Sequence, residues 1–335
     1  MTATVASALQ KFSNCRILVV GDMILDAYVY GQTLRVSREA PVLVVRKESK
    51  EYRLGGAANT ALNLRALGAD VEVVTGLGND ANGEVVRKML HDAGMDIQGV
   101  VGSKTTTSVK TRVMAGAAGT ARQQVIRLDD EPDSLPEEVH QVITKHLAER
   151  AEMVDAIIIS DYGQGVISQA TIDLAVKLAA DGKIVCVDSR YRLSAFKGVT
   201  AITPNVPEAE AVIGFEIESP DQALRAGHAL KEKLGVKAVL LTLGRGGMSL
   251  FTDDDVSHVD IVGEEEVTDV TGAGDTVMAT FCLAVAAELG MENAMRLANC
   301  AAGVTVNKSG AATCSPEELI DASVQASMEL NPWGS

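Results

Sequence analysis

The chain has 335 residues, 47% of them hydrophobic, with 30 basic and 45 acidic side chains and a formal charge of −15. That length supports a large buried core, and the acidic balance excludes a general binder of nucleic acid or anionic membrane. Cys15, Cys186, Cys282, Cys300 and Cys314 form no CxxC pair and the histidines no HExxH spacing, which points to buried reduced thiols and away from zinc.

The opening MTATVASALQKFSNC has no apolar run of signal length, and no later run reaches the roughly 18 residues of a membrane span. A soluble cytoplasmic protein is expected. CRILVVGDMILD (15–26) begins as a continuous apolar run ending in Gly-Asp, the pattern of a strand buried on both faces. VEVVTGLG (71–78), AIIISDYG (156–163), KIVCVDSR (183–190), TAITPN (200–205) and AVLLTLG (238–244) repeat it. Helical patterns lie between them at 56–67, 82–93, 136–149, 168–180, 207–213, 220–234 and 273–289. Strand alternating with helix predicts an α/β fold, a mainly parallel sheet with helices on both faces. Ligands of such sheets bind outside the carboxyl ends of the strands, where Asp22, Asp161, Asp188, Asn205 and Thr242 to Gly244 fall.

Two segments break the rhythm. Residues 27–47 and 97–127 alternate polar with apolar and predict a small β-strand lid inserted in a single domain spanning 1–335. Residues 97–127 hold five basic side chains and no acid, and 27–47 hold Arg35, Arg38, Arg46 and Lys47 against Glu39. Ser108, Lys110 and Arg112 share one face of a strand, as an anion-facing lid would require.

DVTGAGDT (269–276), followed by an apolar helical run, is the strongest chemical signal. Gly272, Ala273 and Gly274 place small residues at a helix start, where unpaired N–H groups and the helix dipole make an anion hole. Asp275 sits beside it as a base for an attacking hydroxyl; held ionised by the helix end it is a weak base, which suffices for a loose phosphoryl transition state. LGGAANTALNL (54–64) repeats the glycine-to-helix pattern with Gly55 and Gly56, and Asn59 offers donor and acceptor to a sugar hydroxyl. Asn205 and Glu208 suit either a helix cap or water-mediated Mg²⁺ and ATP phosphates. In LTLGRGGMSL (241–250), Thr242 and Gly244 fit either nucleotide phosphates or a hairpin turn. There is no GxxxxGK[ST], since Gly182-Lys183 runs into Ile184, and no GxGxxG follows the first strand.

Together these strings resemble the ribokinase/PfkB carbohydrate kinase family over about residues 14–320. GGAANTA resembles its first signature, DVTGAGDT its second and Asn205-x-x-Glu208 its Asn-x-x-Glu motif. The resemblance implies a ribokinase-like fold and ATP as phosphoryl donor. It makes Asp275 the catalytic base, Gly272 to Gly274 the anion hole and Asp22 the residue that holds sugar hydroxyls. Thr242 and Gly244 would meet ATP, and 298–311, with Asn299 and Gly303, would form an adenine-side loop. Carbonyls there and around Asp269 and Thr271 would hold a monovalent cation such as K⁺.

Within the family, LRVSREAPVLVV, VKTRV, RQQVIRLDDE (against HQQLIRLD), SDYGQG and residues 295–319 look most like the subfamily acting on D-glycero-D-manno-heptose 7-phosphate, in ADP-heptose and lipopolysaccharide core synthesis. The product would be the 1,7-bisphosphate. Arg38 in place of Pro, the extra MAGAAGTA and VDSRYRL depart from it. Lys110, Arg112 and Arg35 are the candidates for the 7-phosphate, and Gln124 for a hydroxyl. The bifunctional relatives carry a nucleotidyltransferase domain; this chain ends without one, so that step is expected from a separate protein. The exposed lid edges suggest a homodimer through the lid. The alternatives are a kinase of fructose, ribose, a sugar acid or another sugar phosphate, and a non-catalytic sugar- or nucleotide-binding regulator.

Overall fold

The computed structural model describes residues 4–330 except 118, 133, 263–268 and 329. Thirteen strands lie among the described residues: β1 (Arg16–Gly21), β2 (Met23–Val36), β3 (Leu43–Gly56), β4 (Asp70–Gly78), β5 (Asp96–Ser103), β6 (Val109–Gly116), β7 (Gln123–Asp130), β8 (Ala156–Asp161), β9 (Ile184–Ser189), β10 (Ala201–Ile202), β11 (Ala238–Thr242), β12 (Met248–Phe251) and β13 (Val256–Val259). They form a nine-stranded sheet in the order β13-β12-β11-β10-β9-β8-β1-β4-β5 and a four-stranded sheet in the order β3-β2-β6-β7. From β11 to β5 every pairing in the large sheet is parallel; β12 and β13 add antiparallel.

The apolar runs are explained by a core on each face. Ile17 and Val19 of β1 join one cluster, Leu18 and Val20 the other, and Ile158 is separated from Ile157 and Ile159 in the same way. One face is covered by α1 (Val5–Phe12), α2 (Ala57–Ala66), α3 (Ala81–Asp92), α8 (Ala273–Ala286), α9 (Met291–Thr305) and α10 (Pro316–Gln325). The other carries α4 (Glu137–Arg150), α5 (Gln169–Ala180), α6 (Val206–Ile213) and α7 (Pro220–Leu234). The seven expected helices are all present; α1, α9 and α10 lie outside those seven ranges.

Connectivity positions the site. The chain leaves β1 outward to β4 and β5, then returns to β8 on the other side of β1. The order therefore reverses between β1 and β8, and a crevice opens at their carboxyl ends. Gly21 and Ser160 are register partners there.

The small sheet projects from the same point, because β2 follows β1 after one residue. It differs from the expected lid in extent. Residues 43–56 extend the first hairpin to Gly56, paired with Met23, although KESKEYR is too charged to read as a strand. Residues 97–103 belong instead to β5, paired with β4. An edge strand is half-exposed, and its polar alternation is indistinguishable from that of a lid.

Candidate active site

Helix α8 carries the central carboxylate. Its N-cap Gly272 lies in the left-handed region at φ 79°, and a Cβ there would stand 2.4 Å from the Asn59 amide nitrogen. Glycine is required for both reasons. The Ala273 N–H donates to the Val270 carbonyl (3.2 Å), whereas those of Gly272, Gly274 and Asp275 have no backbone acceptor among the described residues. A Cβ built at Gly274 would meet nothing within 4 Å. Open N–H groups at the positive end of a helix, with free space before them, suit an anion. The hole differs from expectation in one respect: Ala273 contributes no donor, and Asp275 contributes its own N–H.

Asp275 is 2% exposed. Its Oδ2 accepts from Asn59 Nδ2 (2.9 Å), and its Oδ1 from the hydroxyls of Tyr162 (2.7 Å) and Thr60 (3.2 Å). Burial pushes the carboxyl up to about 6, against the lowering effect of these three donors. The sequence reading has the helix end hold this carboxylate ionised as a weak base; burial, the largest influence on it, works in the opposite direction. At neutral pH the group is still mostly ionised, and it is a better proton acceptor than an ordinary aspartate.

On the rim side, Asp161, Tyr162, Asp188, Arg190, Thr203, Asn205, Glu208, Thr242, Gly272 and Gly274 line a cavity of about 220 Å³. Asn205 caps α6: its Oδ1 accepts from the Glu208 N–H (3.0 Å), and Glu208 accepts from the Asn205 N–H (3.0 Å). Capping and cavity-lining are therefore not exclusive. Asp188 accepts no side-chain hydrogen bond among the described residues, and burial together with the Glu208 and Asp275 carboxylates pushes it well up. Burial also raises Glu208. Crowded oxygen donors of this kind fit a hard divalent cation. No group of three or more His, Cys, Asp or Glu that could hold a metal ion occurs among the described residues.

On the lid side, a cavity of about 710 Å³ is lined by Tyr28, Tyr30, Gln32, Glu48, Arg112, Arg122, Gln124, Asp269 and Thr271, among others. Arg112 donates to the buried Asp26. Lys110 lies with its Nζ 5.8 Å from the centre of the Tyr162 ring, and burial lowers its pKa. Arg122 donates to Glu48 (2.7 Å) and stacks 5.4 Å over Tyr30. Asp275 itself lines neither cavity: Gly272 and Gly274 beside it line the acidic rim cavity, and Thr271 and Asp269 before it line the lid cavity, which carries Arg112 and Arg122 with Glu48.

The profile of the pfkB family carbohydrate kinases matches residues 15–318. The chain belongs to that family. It is 40% identical over 321 residues to the "Bifunctional protein HldE" of Geobacter metallireducens, covering 94% of this chain and 64% of that protein, and 39% identical to its Geobacter sulfurreducens counterpart, covering 90% and 62%. The chain thus spans under two thirds of the length of these curated relatives. The fold is ribokinase-like. The tetrameric inhibited form of phosphofructokinase-2 from Escherichia coli superposes with TM-score 0.79 at 20% identity over 94% of this chain and 100% of that one. Arabidopsis thaliana ribokinase complexed with ribose and ATP superposes with TM-score 0.70 at 21% identity over 92% and 98%.

Several residues expected to bind ligand in this pfkB chain have other duties. Asp22 is 1% exposed, and its carboxylate accepts the N–H groups of Tyr162 (2.8 Å), Gln164 (3.1 Å) and Val166 (3.0 Å). It clamps that loop, and Asp26, four residues on in β2, is buried against Arg112. Asn59 Nδ2 donates to Asp275 Oδ2 (2.9 Å) and to the Gly272 carbonyl (3.4 Å). Gly55 and Gly56 make room: a Cβ at Gly55 would stand 2.4 Å from Asp26, and one at Gly56 2.6 Å from the Asp22 carbonyl oxygen. Arg35 is exposed on a distal part of the lid, away from the cavity.

Gly244 sits in the turn between the antiparallel β11 and β12, so the hairpin reading holds there, while Thr242 lines the rim cavity. Residues 298–305 are helical, not a loop. On that helix Asn299 donates to the Asp260 carbonyl (2.7 Å), and a Cβ at Gly303 would stand 2.3 Å from the Val262 carbonyl oxygen. Both therefore pack under residues 260–262 and are not among the residues lining the rim cavity. Asp269 accepts from the N–H groups of Thr271 (2.9 Å) and Gly310 (2.8 Å), pinning the loop before α8. Asp26, Tyr162 and Arg122 were not singled out, and Asp188 was expected only as one of the strand-end residues on the rim. For Tyr162 the available signal was its position directly after the strand end at Asp161.

Proposed function

We propose that the chain transfers the γ-phosphoryl group of ATP to the anomeric hydroxyl of D-glycero-D-manno-heptose 7-phosphate, giving the 1,7-bisphosphate for ADP-heptose and lipopolysaccharide core synthesis. The observation that carries this reading is the buried Asp275 beside open N–H groups at the start of α8, where Gly272 and Gly274 line the acidic rim cavity. ATP lies along the rim with its γ-phosphate before Gly272 and Gly274. The sugar lies under the lid, with Asp26 and Gln124 meeting hydroxyls. Asn205 and Glu208 would hold Mg²⁺ through water, and the ion when bound neutralises phosphate charge. Asp269 and Thr271 stand near the place for a monovalent cation; one solved neighbour is phosphofructokinase-2 in complex with potassium.

The large lid cavity supports a long, phosphorylated acceptor. Arg112 is held by Asp26, so Arg122 is the guanidinium better placed to take a distal phosphate, exchanging Glu48 for it. Lys110, beside Tyr162, serves the reacting end. We read residues 1–335 as one kinase domain in the cytoplasm, where ATP and sugar phosphates meet; no helix among the described residues is long and apolar enough to cross a membrane. Leu34, Val36, Val42, Leu43, Ile126 and Leu128 on the lid are each about half exposed, which supports a homodimer built lid to lid.

ADP release with heptose 7-phosphate, fructose 6-phosphate and ribose tests the substrate. The heptose should give a kcat/KM at least about tenfold above the others, the scale of one retained charge-assisted contact. Preference for fructose 6-phosphate or ribose would replace this substrate with another of the family.

A further inference from the structure

Tyr162 stands at the meeting point of three elements. Its backbone N–H is clamped by Asp22 at the end of β1 (2.8 Å). Its hydroxyl donates to Asp275 Oδ1 at 2.7 Å, the shortest of that carboxylate's three bonds. The ring lines the rim cavity and carries Lys110 of β6 above it. A carboxylate offers about four lone pairs, two on each oxygen. Tyr162 and Thr60 occupy Oδ1 with two donors, whereas Oδ2 receives only Asn59. One lone pair of Oδ2 therefore takes no donor among the described residues.

We propose that Tyr162 is a positioning residue for phosphoryl transfer: its hydroxyl saturates Oδ1 of Asp275 and leaves Oδ2 as the atom that takes the acceptor's proton. This rests on the reading of Asp275 as the base. In the step, the acceptor's O–H proton moves to Oδ2 and its oxygen bonds to the γ-phosphorus. The bond from that phosphorus to the β–γ bridging oxygen breaks, and the electron pair leaves on ADP. Tyr162 keeps its own proton throughout, because burial and the Asp275 and Asp188 carboxylates push its pKa well up. It is a permanent donor rather than a second base. The other charged groups facing this pair are Asp26 from β2, Lys110 from β6, Asp188 from β9 and Glu208 from α6. All four remain when the tyrosine hydroxyl is removed.

The test is Tyr162→Phe, assayed for kcat from pH 4.5 to 8.5 with ATP and heptose 7-phosphate, with Thr60→Val and Asp275→Asn alongside. Losing a donor to the charged form should raise the acid limb of kcat by about one pH unit, lower kcat about tenfold or more and leave the KM of ATP within about twofold. Thr60→Val should move the limb the same way by less. A limb that stays in place in Tyr162→Phe, whatever happens to its melting temperature, overturns the positioning role. If Tyr162→Phe does not fold, 3,5-difluorotyrosine at 162 keeps the ring and strengthens the donor; the limb should then move down, and no movement overturns the role. An Asp275→Asn variant as active as the parent sinks the base and the positioning role together. An inactive Asp275→Asn beside an unmoved Tyr162→Phe limb sinks the positioning role alone.

Discussion

Gly274→Ala separates the anion cradle from the helix that carries it. At this position an added Cβ meets nothing within 4 Å, and the residue lies in the first turn of α8. Alanine is better than glycine in a helix by up to about 1 kcal/mol. With an unfolding entropy of about 2.1 cal/mol/K per residue, this gain raises the melting temperature of a 335-residue chain by only about 1–2 °C. Yet the methyl group projects beside the rim cavity that Gly274 lines, where the γ-phosphate must approach the N–H groups. Losing that approach should lower kcat/KM for ATP by about 10²-fold or more, the scale of one oxyanion-hole donor. Gly272→Ala is the contrast. There the backbone is left-handed and the Cβ strikes Asn59, so both stability and activity fall, stability by about 1–3 kcal/mol. Differential scanning fluorimetry and ADP release on the two variants decide the matter. A Gly274→Ala enzyme with parental kcat/KM would refute the cradle.

Four further outcomes follow from the same geometry. Asp22 and Asp275 are both raised to about 6 from an ordinary 3.8. Their folded forms bind protons more tightly, so the stability they lend is complete below about pH 4 and lost as pH rises through 6, by about 3 kcal/mol each. Asp275→Asn should therefore melt no lower than the parent at pH 7.5 and lose less stability between pH 4 and 7; a lower melting temperature at pH 7.5 would contradict this. Arg122→Gln should raise the KM of heptose 7-phosphate about tenfold or more and leave that of ATP unchanged, whereas an ATP-specific defect would remove Arg122 from the sugar side. Arg112→Met should instead cost about 3–5 kcal/mol of stability by stranding the buried Asp26, most of it recovered by adding Asp26→Asn. Ile126→Asp should shift the protein to monomer in light scattering; an unchanged mass would exclude the lid as the dimer contact.

Much of the fold was legible because buried parallel strands need apolar side chains on both faces. Ile17 to Val20 and Ile157 to Ile159 are readable for that reason, and the Gly-Ala-Gly before Asp275 because small residues ahead of an apolar helical run mark a helix start. What failed depended on pairing across the chain. Nothing local distinguishes Asp22 from Asp26 in GDMILD; one is fixed by N–H groups some 140 residues away, the other by Arg112 on a neighbouring strand. The side chain of Asn59 suits a sugar as well as it suits Asp275, and only the packing of α2 against α8 decides. KESKEYR is a strand through its partner β2, not through its composition. Tyr162 stood in view within SDYGQG, but the carboxylate that gives it a role lies 113 positions later.

The most direct measurement is single-turnover phosphoryl transfer by Asp275→Asn at saturating ATP and sugar, with circular dichroism to confirm the fold. With a native spectrum, a rate lower by at least about 10²-fold and substrate binding within a few-fold of the parent is the predicted result. A native spectrum with a near-parental rate would contradict the central role of that carboxylate.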